Sequence, residues 1–476
     1  MSNCYTHLRP AFRVRLLIRL IVGCTVVSAI AETAEDRVDL GLKKQLLVDD
    51  YAIADRSQVE RILGRVTKAN EGKPILHDRW FYGTVLFDDN RFKMWFSKPG
   101  QVGFAYSESR DGLTFSDLVD VTGMKGAALA VMIDPRESDP AHRYKASFDA
   151  DNVGAGLAHS ADGIHFIPYN NGKAVTGRAA DTYNQILWDE EAKTYRLLTR
   201  TDFGTPGGTG EIRGTRSMTN PDVKANPTGW KTTRSWKLDD PARRQIYALT
   251  DWIYEGVHFG LATIYEYPGD FSEGRETDHQ KRHERDVINY YLVTSRDGDT
   301  WDLHWILSGQ PIVPRGGDGA FDKDILFPAS EIVTHGDQHW LYYLGGNERH
   351  GEGKVQPEKQ RALGLATLPL DRFGGLQAKA RPGTVTTKAF QLDGSNVLIN
   401  ADCQAGRCAV EVLDREGKPL AGFTLSDCYP LTQQDALRLP VRWKKSADLS
   451  SLIGQTVRLR FHLQDATLYA FQIVGK

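Results

Sequence analysis

Residues 109–115 read "SRDGLTF", residues 160–166 read "SADGIHF" and residues 295–301 read "SRDGDTW". In each, a serine is followed two places on by Asp-Gly, and an aromatic residue stands at the seventh place. Asp-Gly specifies a tight turn, because glycine accepts a positive φ without steric cost and the aspartate side chain bonds to backbone just ahead of it. The same turn written three times predicts a repeated unit, and repeats decide the fold class before any other feature.

Working outward, each turn is preceded by a short strand: "VGFAYSES", "AGLAHS" and "NYYLVTS". A degenerate copy lies at 211–230, where Ser217 begins and Trp230 ends a lengthened turn; a fifth, at 362–376, keeps the strand and loses the turn. A second strand precedes each of these: "RFKMWFS", "RYKASFD", "TYRLLTR", "VHFGLAT" and "HWLYYLG". Before it comes a more apolar one: "YGTVLF", "ALAVMI", "NQILW", "IYALTDWI" and "ILFPASEIV". Ser109, Ser160, Ser217 and Ser295 stand 51, 57 and 78 residues apart. Several strands per repeat at such intervals predict a five-bladed β-propeller over residues 40–380. The turn then joins the third and fourth strands of a blade and its aromatic packs between blades. Asp111, Asp162 and Asp297 are structural in this reading. From about Lys388 the pattern becomes compact alternation ("NVLINADC", "CAVEVLD", "TVRLRFHL", "LYAFQIV"), which predicts a smaller β-sandwich at 386–476.

The chain has 476 residues, 25% charged and 10% aromatic, and a formal net charge of −2, which excludes a nucleic-acid binder working by bulk electrostatics. The N-terminus has a basic lead (Arg9, Arg13, Arg15), an apolar stretch and Ala29-Ile30-Ala31: the pattern of a signal peptide over 1–31, with a secreted or periplasmic product. The alternative is a lipobox at Ile21-Val22-Gly23-Cys24, with the lipid on Cys24. No later stretch approaches the ~20 apolar residues of a membrane span. Cys403, Cys408 and Cys428 remain in the mature chain; Cys403 and Cys408 are placed to close a short hairpin in an oxidising compartment. No phosphate-binding glycine motif and no zinc-type cysteine spacing occurs, so no cofactor is expected. His279 and His283 have metal-ligand spacing but stand in the charged run "DHQKRHERD", which reads as a solvated loop.

The S-x-D-G turns resemble a shortened form of the Asp-box of sialidases. The blades, the signal and the C-terminal sandwich together resemble the propellers of glycoside hydrolase families 32 and 43. "KQLLVDDYAIAD", "VLFDDNRFKMWF" and "VRLRFHLQDATLYAF" resemble secreted family 32-like proteins of polysaccharide-degrading bacteria. The family 32 motifs W-x-N-D-P-N-G, R-D-P and E-C-P are missing. The resemblance implies carboxylates at one mouth of the channel, one protonated on the leaving oxygen and one ionised as base or nucleophile.

Acids near the ends of the innermost strands are the catalytic candidates: Asp181, Asp324, Glu331, Asp78 and Asp50, with Asp322 and Asp49 beside them. Trp80, Tyr82, Tyr183, Tyr247 and Trp252 are candidates for sugar stacking, and Arg200 and His350 for binding hydroxyls, a carboxylate or a sulfate. Blade packing is the competing role for every aromatic residue, and a solvated loop or turn cap for every acid. The expected partner is a carbohydrate substrate. A non-catalytic carbohydrate-binding propeller and a sialidase-like enzyme are the alternatives; the R-I-P opening of sialidases is absent.

Overall fold

The structure is a computed structural model and describes residues 37–77, 81–98, 103–151, 153–179, 182–204, 211–267, 286–349, 360–446 and 448–475. It is almost entirely β. Sheet I runs Gly83–Asp88, Arg91–Ser97, Phe104–Ser109 and Val119–Val121 in up-and-down antiparallel order. Sheet II (Ala127–Ile133, Tyr144–Asp149, Ala155–Ser160, Ile167–Pro168) and sheet III (Gln185–Asp189, Thr194–Phe203, Ile212–Asn220, Lys231–Trp236) repeat it. A nine-stranded sheet holds two further sets. Set IV comprises Arg244–Tyr254, Val257–Glu266, Val287–Ser295 and Trp301–Asp302. Set V comprises Ile325–Pro328, Gln338–Gly346 and Arg361–Pro369, with Val333–His335 as a side strand. One parallel pairing, Ile288 with Ile325, joins IV to V.

The innermost strands follow one another around an axis, held by hydrogen bonds between sheets. Thr84 Oγ1 accepts from Val131 N at 2.9 Å, and Ser147 Oγ from Ile186 N at 2.9 Å. Gln185 Nε2 donates to the carbonyls of Asp251 and Ser330, both at 2.8 Å, and Ser330 N returns to Gly83 O at 3.0 Å. That last bond joins V back to I, so the arrangement is a closed β-propeller.

The turn read first from the sequence lies between the third and fourth strands of I, II and IV. Its chemistry is the same in all three. The serine hydroxyl accepts from the glycine N–H (2.9, 3.0 and 2.9 Å) and donates to the aspartate (2.8, 3.0 and 3.0 Å). One aspartate oxygen accepts two further backbone N–H groups, at 2.6–2.9 Å. The glycines have φ of +72°, +77° and +68°, the left-handed region that glycine enters freely. Each turn then bonds to the second strand of the preceding sheet. Trp95 Nε1 donates to Gly163 O at 2.6 Å, Arg196 Nη2 to Asp297 O at 2.5 Å and Tyr342 Oη to Gly112 O at 2.8 Å. The repeated turn is therefore a fastener between neighbouring sheets.

Two sheets pack face to face beside the propeller. One contains Gln45–Leu46, Glu60–Leu63, Gly374–Ala378, Asn396–Asp402, Asp435–Pro440 and Ala466–Val474. The other contains Ile53–Ser57, Gly383–Thr387, Phe390–Gln391, Arg407–Leu413, Leu431–Thr432 and Thr456–Gln464. Thr456–Gln464 buries every second residue, as a strand with one solvated face must. Phe390, Val410, Leu459, Phe461 and Phe471 form the core between them. Strand pairing differs here from the expected division into 40–380 and 386–476. Residues 45–63 pair with the C-terminal sheets, Gln45 with Phe471 and Gly374 with Leu63. The chain enters the propeller only at Thr67–Lys68, which pairs with Ala366–Thr367 and supplies the missing outer strand of V. Cys403, Cys408 and Cys428 are buried free thiols in the sandwich core. The leader over 1–31 lies outside the described residues.

Candidate functional site at the strand-start mouth

In an antiparallel sheet the start of the first strand, the end of the second and the start of the third lie at one edge. Three positions per sheet therefore reach the same mouth of the channel. Just inside this mouth the axis is filled by aromatic side chains from different sheets. Tyr82 lies 5.2 Å from Tyr183 and 5.0 Å from Phe327 between ring centroids, and Tyr247 lies 5.1 Å from Phe327. Tyr82 Oη and Tyr247 Oη are 3.3 Å apart, and Tyr183 Oη accepts from Gly83 N at 2.7 Å. Burial raises the Tyr82 phenol far above its ordinary range, with the neighbouring Tyr247 adding to the effect. Each such ring contributes about 1.5–3 kcal/mol by leaving water. Tyr82, Tyr183 and Tyr247 were expected to offer faces to a sugar. They are 5%, 1% and 4% exposed, pack on one another, and form a floor that divides the two mouths.

Above this floor stand charged groups from III, IV and V. Arg200, at the end of a second strand, donates to Asp202 (2.9 Å) and to Glu211, at the start of the third. Burial pushes the Asp202 carboxyl up, but Arg200 and Arg178 outweigh it and hold the group below its ordinary value. Arg213 lies 3.7 Å from Glu211 and covers the rings of Tyr247 and Tyr265 at 5.0 and 5.1 Å. Asp286, 1% exposed, precedes the third strand of IV and acts electrostatically on Tyr265. Glu266 binds Arg244 (2.7 Å), Asn289 (2.8 Å) and Tyr291 (2.6 Å). Asp324, entering V, accepts from Lys323 at 2.5 Å and lies 3.3 Å from Arg349.

Of the acids singled out from sequence, Asp324 is at this mouth. Asp78 and Asp181 lie outside the described residues, as do Trp80, His350, His279 and His283. Glu331 is at the opposite mouth. The innermost strand of V runs along the axis, so a residue before Ile325 and one after Pro328 face opposite ends. Asp50 is on the sandwich side, an exposed partner of Arg61 (2.6 Å) and Arg56 (3.6 Å), because its segment pairs with the C-terminal sheets. Asp49 binds Arg296 at 2.8 Å, and Asp322 binds Lys68 at 2.5 Å and Tyr343 at 2.9 Å. Trp252 lies at the opposite mouth with Glu331. Arg200, expected to meet substrate, is 4% exposed and engaged by Asp202 and Glu211. Sequence reading missed Glu211 and Asp286. Both stand immediately before third strands ("EIRGTRS", "DVINYYLV"), and the rule that third strands start at the same mouth as first strands would have found them.

No protein-family model matches the chain, and no curated protein matches it. Solved structures similar to it include the catalytic domain of a Coprinopsis cinerea GH62 alpha-L-arabinofuranosidase. It is 11% identical, covering 64% of this chain and 97% of that one, with a TM-score of 0.42. A thermostable family-43 glycoside hydrolase is 13% identical, covering 60% and 88%, with a TM-score of 0.41. An N-acetylgalactosamine deacetylase from F. plautii is 14% identical, covering 67% and 97%, with a TM-score of 0.40.

Proposed function

We propose that the chain is a secreted glycoside hydrolase, a five-bladed propeller acting on a polysaccharide or oligosaccharide at the strand-start mouth. The observation that carries this is the gathering of Glu211, Asp286, Glu266 and Asp324 from III, IV and V at one mouth, with Arg213, Arg244 and Arg349 among them. Glycoside hydrolysis needs one carboxyl group to protonate the leaving oxygen and one carboxylate to act as base or nucleophile. Asp324, beside Lys323 and Arg349, is suited to the ionised role. Asp181 is assigned the acid role and Asp78 the tuning of its proton affinity through repulsion between like charges. The arginines fix the carboxylates and offer N–H donors to sugar hydroxyls.

The test is incubation of the exported protein with a panel of plant and algal polysaccharides, with product analysis. Asp181→Asn and Asp324→Asn should each lower turnover on the confirmed substrate by ~10²-fold or more while leaving binding nearly intact. Binding of a glycan with no product from the native protein would instead establish a carbohydrate-binding propeller. N-terminal sequencing of the exported chain should begin at Glu32; a lipidated Cys24 would replace that assignment.

A further inference from the structure

The opposite mouth holds an open cavity of about 440 Å³, within the range of small-molecule sites. It lies where the innermost strands end, and Phe87, Trp188, Trp252, Tyr254, Asp251 and Glu331 line it. Trp252 and Tyr254 stack on each other at 4.9 Å with planes 7° apart and form one wall. Two acids on it are incompletely satisfied. Asp251 is 1% exposed; its Oδ2 takes His258 Nδ1 at 2.6 Å, and its buried Oδ1 has no hydrogen-bond partner. Glu331 is half-buried and opens to the cavity, and among the described residues its carboxyl group makes no hydrogen bond or ion pair. A buried acceptor left open, as Asp251 Oδ1 is, calls for a donor, and Glu331 beside it offers a second acceptor to whatever enters the cavity.

The neighbouring charges are committed elsewhere. His258 serves Asp251 and lies 3.7 Å from Asp189, which holds Arg196 at 2.7 Å. Arg136 covers Trp188 at 4.2 Å and donates to Tyr195. Lys44, 5.7 Å from the Tyr254 ring, is paired with Asp371 and Glu255, and His335 packs on Phe87. The cavity therefore presents two acceptors and aromatic walls, with no cation among the described residues opposite Glu331. We propose that it binds a small primary ammonium compound, its –NH₃⁺ donating to Asp251 Oδ1 and Glu331 and its carbon body lying on the Trp252–Tyr254 wall. Such a group brings three donors and one positive charge, and aromatic rings favour it further.

Burial, reinforced by Asp251, raises the Glu331 carboxyl to about 8, so in the empty cavity at pH 7 it is protonated. An ammonium group favours the ionised form, so binding at pH 7 releases a proton to solvent. The experiment is calorimetric titration of the full-length mature protein with n-butylammonium chloride, repeated in buffers of different ionisation enthalpy. The expected result is saturable 1:1 binding, with about one proton released at pH 7 and none at pH 9.5. Affinity should be about tenfold higher at pH 9 than at pH 7, as follows from a carboxyl titrating near 8 below the amine's own range. Glu331→Gln, checked for an unchanged melting transition, should abolish the proton release and weaken binding at pH 9 at least tenfold. Absence of saturable binding overturns the proposal. So does n-butanol binding as well as the ammonium, which would mean an apolar hollow only, or calcium chloride displacing it, which would mean a site for an inorganic cation. If Glu331→Gln does not fold, the proton count on the native protein still decides the question.

Discussion

Asp111, Asp162 and Asp297 each hold a turn by accepting from a serine hydroxyl and two backbone N–H groups. The N–H groups of Thr114 and Leu113, with the Ser109 hydroxyl, bring the Asp111 carboxyl down to about 2. Asp297 also stands at about 2: its partial burial acts upward, and the Thr300 and Asp299 N–H groups overcome it. A depressed folded value means these bonds stabilise the protein above the unfolded value near 4, and the contribution disappears as pH falls from about 4 to 2. The stability difference between the native chain and Asp111→Asn, read from denaturant midpoints, should therefore be largest at neutral pH and close as pH approaches 2. The glycines beside these acids are as constrained. A Cβ on Gly112 would lie 2.6 Å from the Tyr342 hydroxyl and 2.7 Å from the Trp340 ring, at φ +72°. Gly112→Ala should cost about 2 kcal/mol or more in urea unfolding, from positive-φ strain and the clash together. These turns were legible in sequence because their chemistry is local: serine, aspartate and glycine at fixed offsets satisfy one another. What the turns fasten to was not legible, since Trp95, Arg196 and Tyr342 stand on other sheets.

At the scale of elements, the short strand Thr67–Lys68 has the largest role for its size. Lys68 reaches Asp322 at 2.5 Å, where Asp322 is 1% exposed and has Tyr343 as its other partner. Removing one member of a buried pair leaves the other charge without compensation. Lys68→Met should therefore destabilise by about 3 kcal/mol, measured by equilibrium unfolding, while Lys68→Arg loses much less. The repeat of three strands could be read along the chain because hydrophobic alternation and turns mark each one. This closing strand could not: "TK" carries no pattern of its own, and only pairing with Ala366–Thr367 makes it a strand. Strand direction explains the misplacement of Glu331. Glu331 follows Pro328 at the end of the innermost strand of V, whereas Asp324 precedes Ile325 at its start, and the two ends face opposite mouths.

Over the whole molecule, propeller and sandwich are not successive beads on the chain. The segment before the propeller contributes strands to both sandwich sheets: Gln45–Leu46 and Glu60–Leu63 to one, Ile53–Ser57 to the other. A fragment of residues 386–476 lacks these strands, Gly374–Ala378 and the first three residues of Gly383–Thr387. It should show no protected amides in hydrogen exchange, whereas the full chain protects Asn396–Asp402 and Thr456–Gln464. Folded, protected behaviour of that fragment would mean that the N-terminal strands are accessories to a self-sufficient sandwich.

The pairing of the first strands with the last also orders events in time. Thr67 meets Thr367 across 300 positions, and Leu42 accepts a hydrogen bond from Gln472 across 430. A ribosome adding ~5–20 residues per second needs roughly 15–60 s to make the first of those partners after its mate has emerged. Through that interval the earliest strands have exposed edges, open to pairing with whatever comes near. The ring can shut once Arg361–Pro369 has been made, but the sandwich strands Gln45–Leu46 wait for Ala466–Val474, so the first strands of a nascent chain keep an unpaired edge after the propeller is complete.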